Sequence, residues 1–258
     1  ITMLPTMAFS RPPTPTSAAP ARAAMTGSAS KTEVQAADSA LAVPVWDLPV
    51  RLVHWGMVLL IAFSWWSAEN DRIQWHIWSG YGVLFLLLFR ILWGFLGSST
   101  ARFASFVRGP GTLLAYLRDP GSHRGTGHTP LGALSVVALL GLIALQVWFG
   151  LPLSDEDGIY SGPLNRFVSF ETAEWAHEIH ETLFNVLLAF IALHIAAILF
   201  YRLRGKNLVR AMISGRSTAY PSGTEPMVGA GPARLLLCLA ISAGVTAWLA
   251  AGLPPLRP

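Results

Sequence analysis

Four histidines of this chain stand inside long apolar stretches, and their spacing is the first sign of chemistry. His180 and His194 both fall within Trp175–Arg202, WAHEIHETLFNVLLAFIALHIAAILFYR, a run long and apolar enough to cross a bilayer as one helix. At about 100° and about 1.5 Å per residue the two share one face, about 40° apart in azimuth and about 21 Å apart along the axis. A polar ring at hydrocarbon depth is costly, so it turns to the bundle interior and takes a partner there. Two imidazoles on one stripe, one near each membrane surface, predict two stacked sites. Each is expected to be completed by a second histidine from another helix.

The remaining apolar runs supply those helices. Spans are predicted at roughly 48–67, 76–97 and 131–152, with 175–202 the fourth and 233–253 a fifth of about the right length, where Ala240 and Gly244 offer a small-residue packing face. The chain is 53% hydrophobic and only 12% charged. Its mean hydropathy is +0.49. A soluble domain carries about twice that charged fraction, so the chain reads as an all-α integral membrane protein. Its basic residues gather in loops: Arg102, Arg108, Arg118 and Arg124 after span two, and Arg202, Arg204, Lys206, Arg210, Arg216 and Arg234 after span four. The alternate loops hold Glu69, Asp71, Asp155, Glu156, Asp157, Glu171 and Glu174. That alternation is the positive-inside pattern, which accounts for the net charge of +4 without nucleic acid and puts the N-terminus in the cytoplasm. Trp65, Trp66, Trp75, Trp78, Trp148 and Trp175 fall at the outer ends, as an interfacial belt does.

Topology then sets depth. His54 lies about 9 Å inside the inner surface, and His194 lies at a similar depth near the end of span four. His76 and His180 both open their spans from outside. The pairs are therefore His54 with His194 and His76 with His180. Paired imidazoles from two helices are the ligand set of a low-spin haem iron. With one cysteine, Cys238, and no C-x-x-C-H, the haems are expected to be b-type and non-covalent. Gly80, one turn beyond His76, leaves room for a flat ring, as does Gly56 near His54. Arg51, Arg72, Arg90 and Arg202 lie near span ends, where they could pair with propionates or serve as snorkelling anchors.

The other histidines read differently. His177 sits at the aqueous boundary as a surface residue, while His123 and His128 lie in the inner loop with no partner in sight. HEIHE falls short of the zinc-protease pattern, because Glu181 stands where its second histidine belongs. Residues 1–44, rich in Pro, Ala, Ser and Thr, read as a disordered tail, with Met3, Met7 and Met25 as alternative starts and a faint likeness to a transit peptide. Phe103, Phe106 and Val107 either form a short amphipathic piece on the membrane surface or pack under the bundle.

The segments VWDLPVRLVHW, WHIWSGYGVLFLLLFRILWGFLGS, ARFASFVRGP and GHTPLGALSVVALL, with the two histidines of span four, resemble bacterial cytochrome b561. That family also includes the b-type subunits of nickel–iron hydrogenases. The likeness covers residues 45–216 and includes loop motifs as well as the histidines. It implies a four-helix transmembrane bundle in the bacterial inner membrane, with two b haems on His54, His76, His180 and His194. It also implies electron exchange between the quinone pool and a redox partner. Residues 1–44 and the linker and fifth helix over 217–258 are additions to that core. Quinol is expected in an apolar cleft beside one haem, and a basic periplasmic c-type cytochrome at the acidic outer loop 154–178. Two alternatives share the chemistry: an anchor subunit for a hydrogenase or similar oxidoreductase, and a superoxide:quinone oxidoreductase using Arg72 and Arg166. A histidine-lined ion transporter is the reading from another class, although span four is neither repeated nor interrupted. No span carries the nucleophile–base pair of an intramembrane hydrolase.

Overall fold

The computed structural model describes residues 42–119, 126–154, 159–218, 220 and 224–252. The expected tail, apart from its last three residues, therefore lies outside the described residues, as do His123, Arg124 and the acids Asp155, Glu156 and Asp157. Five helices among the described residues are long and apolar enough to cross a membrane: α1 (Leu48–Glu69), α2 (Ile73–Leu96), α5 (Pro130–Gly150), α6 (Phe170–Leu203) and α8 (Pro232–Ala250). Short elements fill the connections: β1 (Val43–Pro44), α3 (Phe103–Phe106), α4 (Pro110–Arg118), α7 (Leu208–Ser214) and β2 (Arg216–Ser217).

Local chemistry sets the starts of the spans. The Asp47 carboxylate accepts the Val50 N–H at 2.8 Å, and the Thr129 hydroxyl accepts that of Gly132 at 3.1 Å; each satisfies a donor the first turn leaves open. Pro49 and Pro130 sit in those first turns, where a missing N–H costs nothing. Ser169 caps α6 in the same way. With 34 residues, α6 is about 51 Å long and overshoots a hydrocarbon core of about 30 Å.

The spans form two hairpins, α1 with α2 and α5 with α6, joined by packing of α2 on α5. Lipid tails give apolar helices no hydrophobic reason to associate, so close fit must do it. Between α1 and α2 the fit is reciprocal. A Cβ on Gly56 would stand 2.8 Å from Leu86 Cδ1, and one on Gly82 would stand 2.8 Å from Leu60 Cδ1. Gly56 thus serves this helix contact, a use that the sequence reading did not give it. Helix α8 lies against the other side of α2, making α2 the most covered span. Its packing face is not the expected Ala240–Gly244 stripe, both of which are exposed. Cys238 and Ser242, equally small and also four residues apart, are fully buried there instead. The outward side chains are apolar, as lipid requires, and the tryptophans Trp65, Trp66, Trp75, Trp78, Trp148 and Trp175 are all exposed.

A compact cap closes the bundle at the end where residues 43–47 lie. Strands β1 and β2 pair antiparallel, with Val43 opposite Ser217. Thr100 Oγ1 donates to the Val45 carbonyl at 2.6 Å, Ser99 N to Val228 O at 2.9 Å, and Met227 N to Pro44 O at 3.0 Å. The Tyr220 hydroxyl lies 3.0 Å from both the N–H and the carbonyl of Gly127. Phe106 is buried in this cap, and the Phe103 ring fills the space beside Gly94. Of the two readings of that segment, Phe103 and Phe106 follow the one in which they pack under the bundle, whereas Val107 is exposed.

Candidate functional site

The four intramembrane histidines meet in two pairs, each across two helices. His54 on α1 faces His194 on α6 with ring centroids 6.5 Å apart and planes tilted by 50°. His76 on α2 faces His180 on α6 at 6.1 Å and 81°. Two imidazole nitrogens each about 2 Å from a shared metal, with each ring centre about 1 Å further back, put centroids about 6 Å apart. Both pairs have that separation.

Donor count bears on what such pairs could hold. No group of three or more His, Cys, Asp or Glu side chains converges among the described residues. A bare zinc ion needs three or four protein ligands. Two facing imidazoles from separate helices would suit an iron whose remaining ligands a macrocycle supplies.

Hydrogen bonds orient the rings. His76 Nδ1 lies 3.0 Å from the Ser64 carbonyl and 3.1 Å from its hydroxyl. His180 Nδ1 lies 2.9 Å from the Gln146 carbonyl. A carbonyl only accepts, so both rings carry the proton on Nδ1 and leave the Nε2 lone pair free for a ligand. His194 Nδ1 stands 3.5 Å from the Ser135 hydroxyl, and His54 Nδ1 is buried with no hydrogen-bond partner among the described residues. Gly150 gives His180 its place, since a Cβ there would stand 3.0 Å from the ring's Cε1. A Cβ on Gly80 would meet nothing within 4 Å, leaving open space one turn from His76.

The arginines are placed less simply. Arg51 Nη1 donates to the Ile213 carbonyl, while its Nε is buried and meets no partner among the described residues. Arg90 is 7% exposed, 3.4 Å from the Ala101 carbonyl, and lies over the Phe103 ring. It belongs to the cap. His177 pairs with Glu181 at 3.1 Å on the exposed face of α6, as a surface residue would. His128, read as lacking a partner, is held between the rings of Trp46 and Phe106, with centroids 4.5 and 4.4 Å away. Burial, and then the charge of Arg90, push its imidazole down to about 3.

Ser64, Ser135, Gln146 and Gly150 escaped the sequence reading. A signal for them exists. In an antiparallel hairpin, residues equidistant from the turn share a depth, and Ser64 and His76 flank Asn70 symmetrically, as Gln146 and His180 flank residue 163. A cleft of about 380 Å³ is lined by Trp148, Phe149, Phe167, Trp175 and Ala176 among others, Ala176 standing one turn before His180 on α6. The hydroxyl of Thr172 on its wall is already bonded to Ser169 at 3.0 Å.

Searches of curated proteins and of solved structures return no match. The profile of the family described as prokaryotic cytochrome b561 matches residues 45–215, which take in all four paired histidines and stop short of α8. Covering about two-thirds of the chain, that match shows that the protein belongs to the prokaryotic cytochrome b561 family of membrane b-type cytochromes.

Proposed function

We propose that the protein is a di-haem transmembrane electron conduit, exchanging electrons between the quinone pool and a periplasmic redox partner. The observation carrying this reading is the pair of cross-helix imidazole contacts, at 6.5 and 6.1 Å. His54 with His194 would hold an inner haem b, and His76 with His180 an outer one. Haem iron supplies one-electron chemistry when bound. The chain's own residues do the rest. Ser64 and Gln146 keep Nε2 aimed inward, Gly80 leaves open space beside its histidine, and the apolar spans exclude water from the irons. Arg51, one turn from His54 and with an Nε that meets no partner among the described residues, is a propionate partner for the inner haem. Arg90 keeps that role only if its cap contacts yield. Arginines and Lys206 crowd the capped end, which supports a cytoplasmic N-terminus in a bacterial inner membrane.

Purified from haem-replete cells, the chain is expected to give low-spin b-type bands in a reduced-minus-oxidised spectrum. Acid acetone should extract about two haems per chain. A colourless preparation would return the histidines to the transporter reading. The partner is a basic c-type cytochrome drawn to the acidic outer surface, where Glu171, Glu174, Glu178 and Glu181 are exposed. Its rate of reduction or oxidation by this protein should fall as salt is raised, because steering between exposed charges is screened. A rate independent of ionic strength would reject that partner.

A further inference from the structure

We infer that the two histidine pairs are tuned apart by their Nδ1 partners, so that the inner pair holds an electron more tightly than the outer pair. The inference rests on the haem reading above. At the outer pair both rings are backed by carbonyls, Ser64 O at 3.0 Å from His76 and Gln146 O at 2.9 Å from His180. A carbonyl accepting Nδ1–H makes Nε2 more basic, which favours ferric over ferrous iron and lowers the reduction potential. At the inner pair that support is missing or weak. Among the described residues His54 Nδ1 is buried without a partner, and His194 Nδ1 meets only a hydroxyl, at the 3.5 Å limit of a hydrogen bond.

Charge acts in the same direction. Two carboxylates, Glu178 and Glu181, flank His180 on α6 against the single cation Arg72 a turn before His76, whereas the Arg51 guanidinium is one turn from His54. An added electron is disfavoured beside carboxylates and favoured beside a cation. The glutamates are exposed and partly screened, so the hydrogen bonds carry the larger share. A single electron on the chain therefore settles at the inner pair. With haems bound at both pairs, electron entry from the outer, acidic side would run downhill toward His54 and His194.

Optical potentiometric titration of the full-length protein tests this. Wild type is expected to titrate in two components separated by at least about 59 mV, a tenfold preference for one electron. A methionine axial ligand raises the potential, so H180M should lift the lower component and H194M the upper one. If a methionine variant loses its haem, the component that survives makes the same assignment. Unresolved components, or the reverse assignment, would overturn the inference. Gly150→Ala keeps all four histidines but presses on the His180 ring, 3.0 Å from its Cε1. The lower component should rise while the upper stays in place. A lower component that does not move would remove the Gln146 carbonyl as its cause. A wild-type preparation with fewer than two haems would instead defeat the functional reading itself.

Discussion

His180→Ala and His194→Ala are each expected to lose one of the two haems and retain the other, halving the absorbance of the reduced-minus-oxidised bands. Both ligands come from α6, yet they answer to different helices. His180 meets His76 of α2 and takes its support from α5, while His194 meets His54 of α1. About 21 Å of helix separates them, so relaxation around one missing ring need not reach the other. His177→Ala is the matched control. It lies three residues before His180 on the same helix, but it is exposed and paired with Glu181 at 3.1 Å. Its haem content should match wild type. An unchanged haem content in either ligand variant would strike that histidine from the site, and loss of both haems from a single substitution would mean that the pairs assemble together.

The features readable in advance were those governed by regular geometry. Thr129-Pro130 marks a helix start because both residues satisfy the same backbone shortage, and α5 begins there. The histidine pairs were legible from depth alone, since rise per residue and antiparallel order convert sequence position into height. What stayed hidden depends on choosing a face. Helix α5 is apolar nearly all round, and α8 has small residues on more than one side, so periodicity cannot say which side meets α2. The choice between Ala240–Gly244 and Cys238–Ser242 is made by the shape of α2, which the α8 sequence does not encode. The cap was hidden for a different reason. Trp46, Phe106 and His128 come from three irregular segments with no shared period, and only the packed chain brings them together. The Nδ1 acceptors of His76 and His180 include backbone carbonyls, which side-chain identity does not advertise.

The cap also predicts acid sensitivity. An unfolded histidine titrates near 6.5, whereas His128 in the fold is held down to about 3 by burial and by the charge of Arg90. Between those values the unfolded chain binds a proton that the native chain refuses, so stability rises with pH across this window. The contribution is fully present above about 6.5 and is progressively lost as pH falls toward 3. At pH 5 the loss from this one group is about 2 kcal/mol, from 1.36 kcal/mol per pH unit. Phenylalanine would preserve the contact with Trp46 and Phe106 while removing an Nδ1 that is buried without a partner among the described residues. His128→Phe is therefore expected to match or exceed wild-type stability at pH 7 and to lose much less at pH 5. Thermal inactivation rates in detergent, followed by helical circular dichroism at both pH values, make the comparison. The difference between the two proteins isolates this residue from every other titrating group. Equal acceleration of the two proteins on going from pH 7 to pH 5 would show that His128 accepts its proton without leaving the cap.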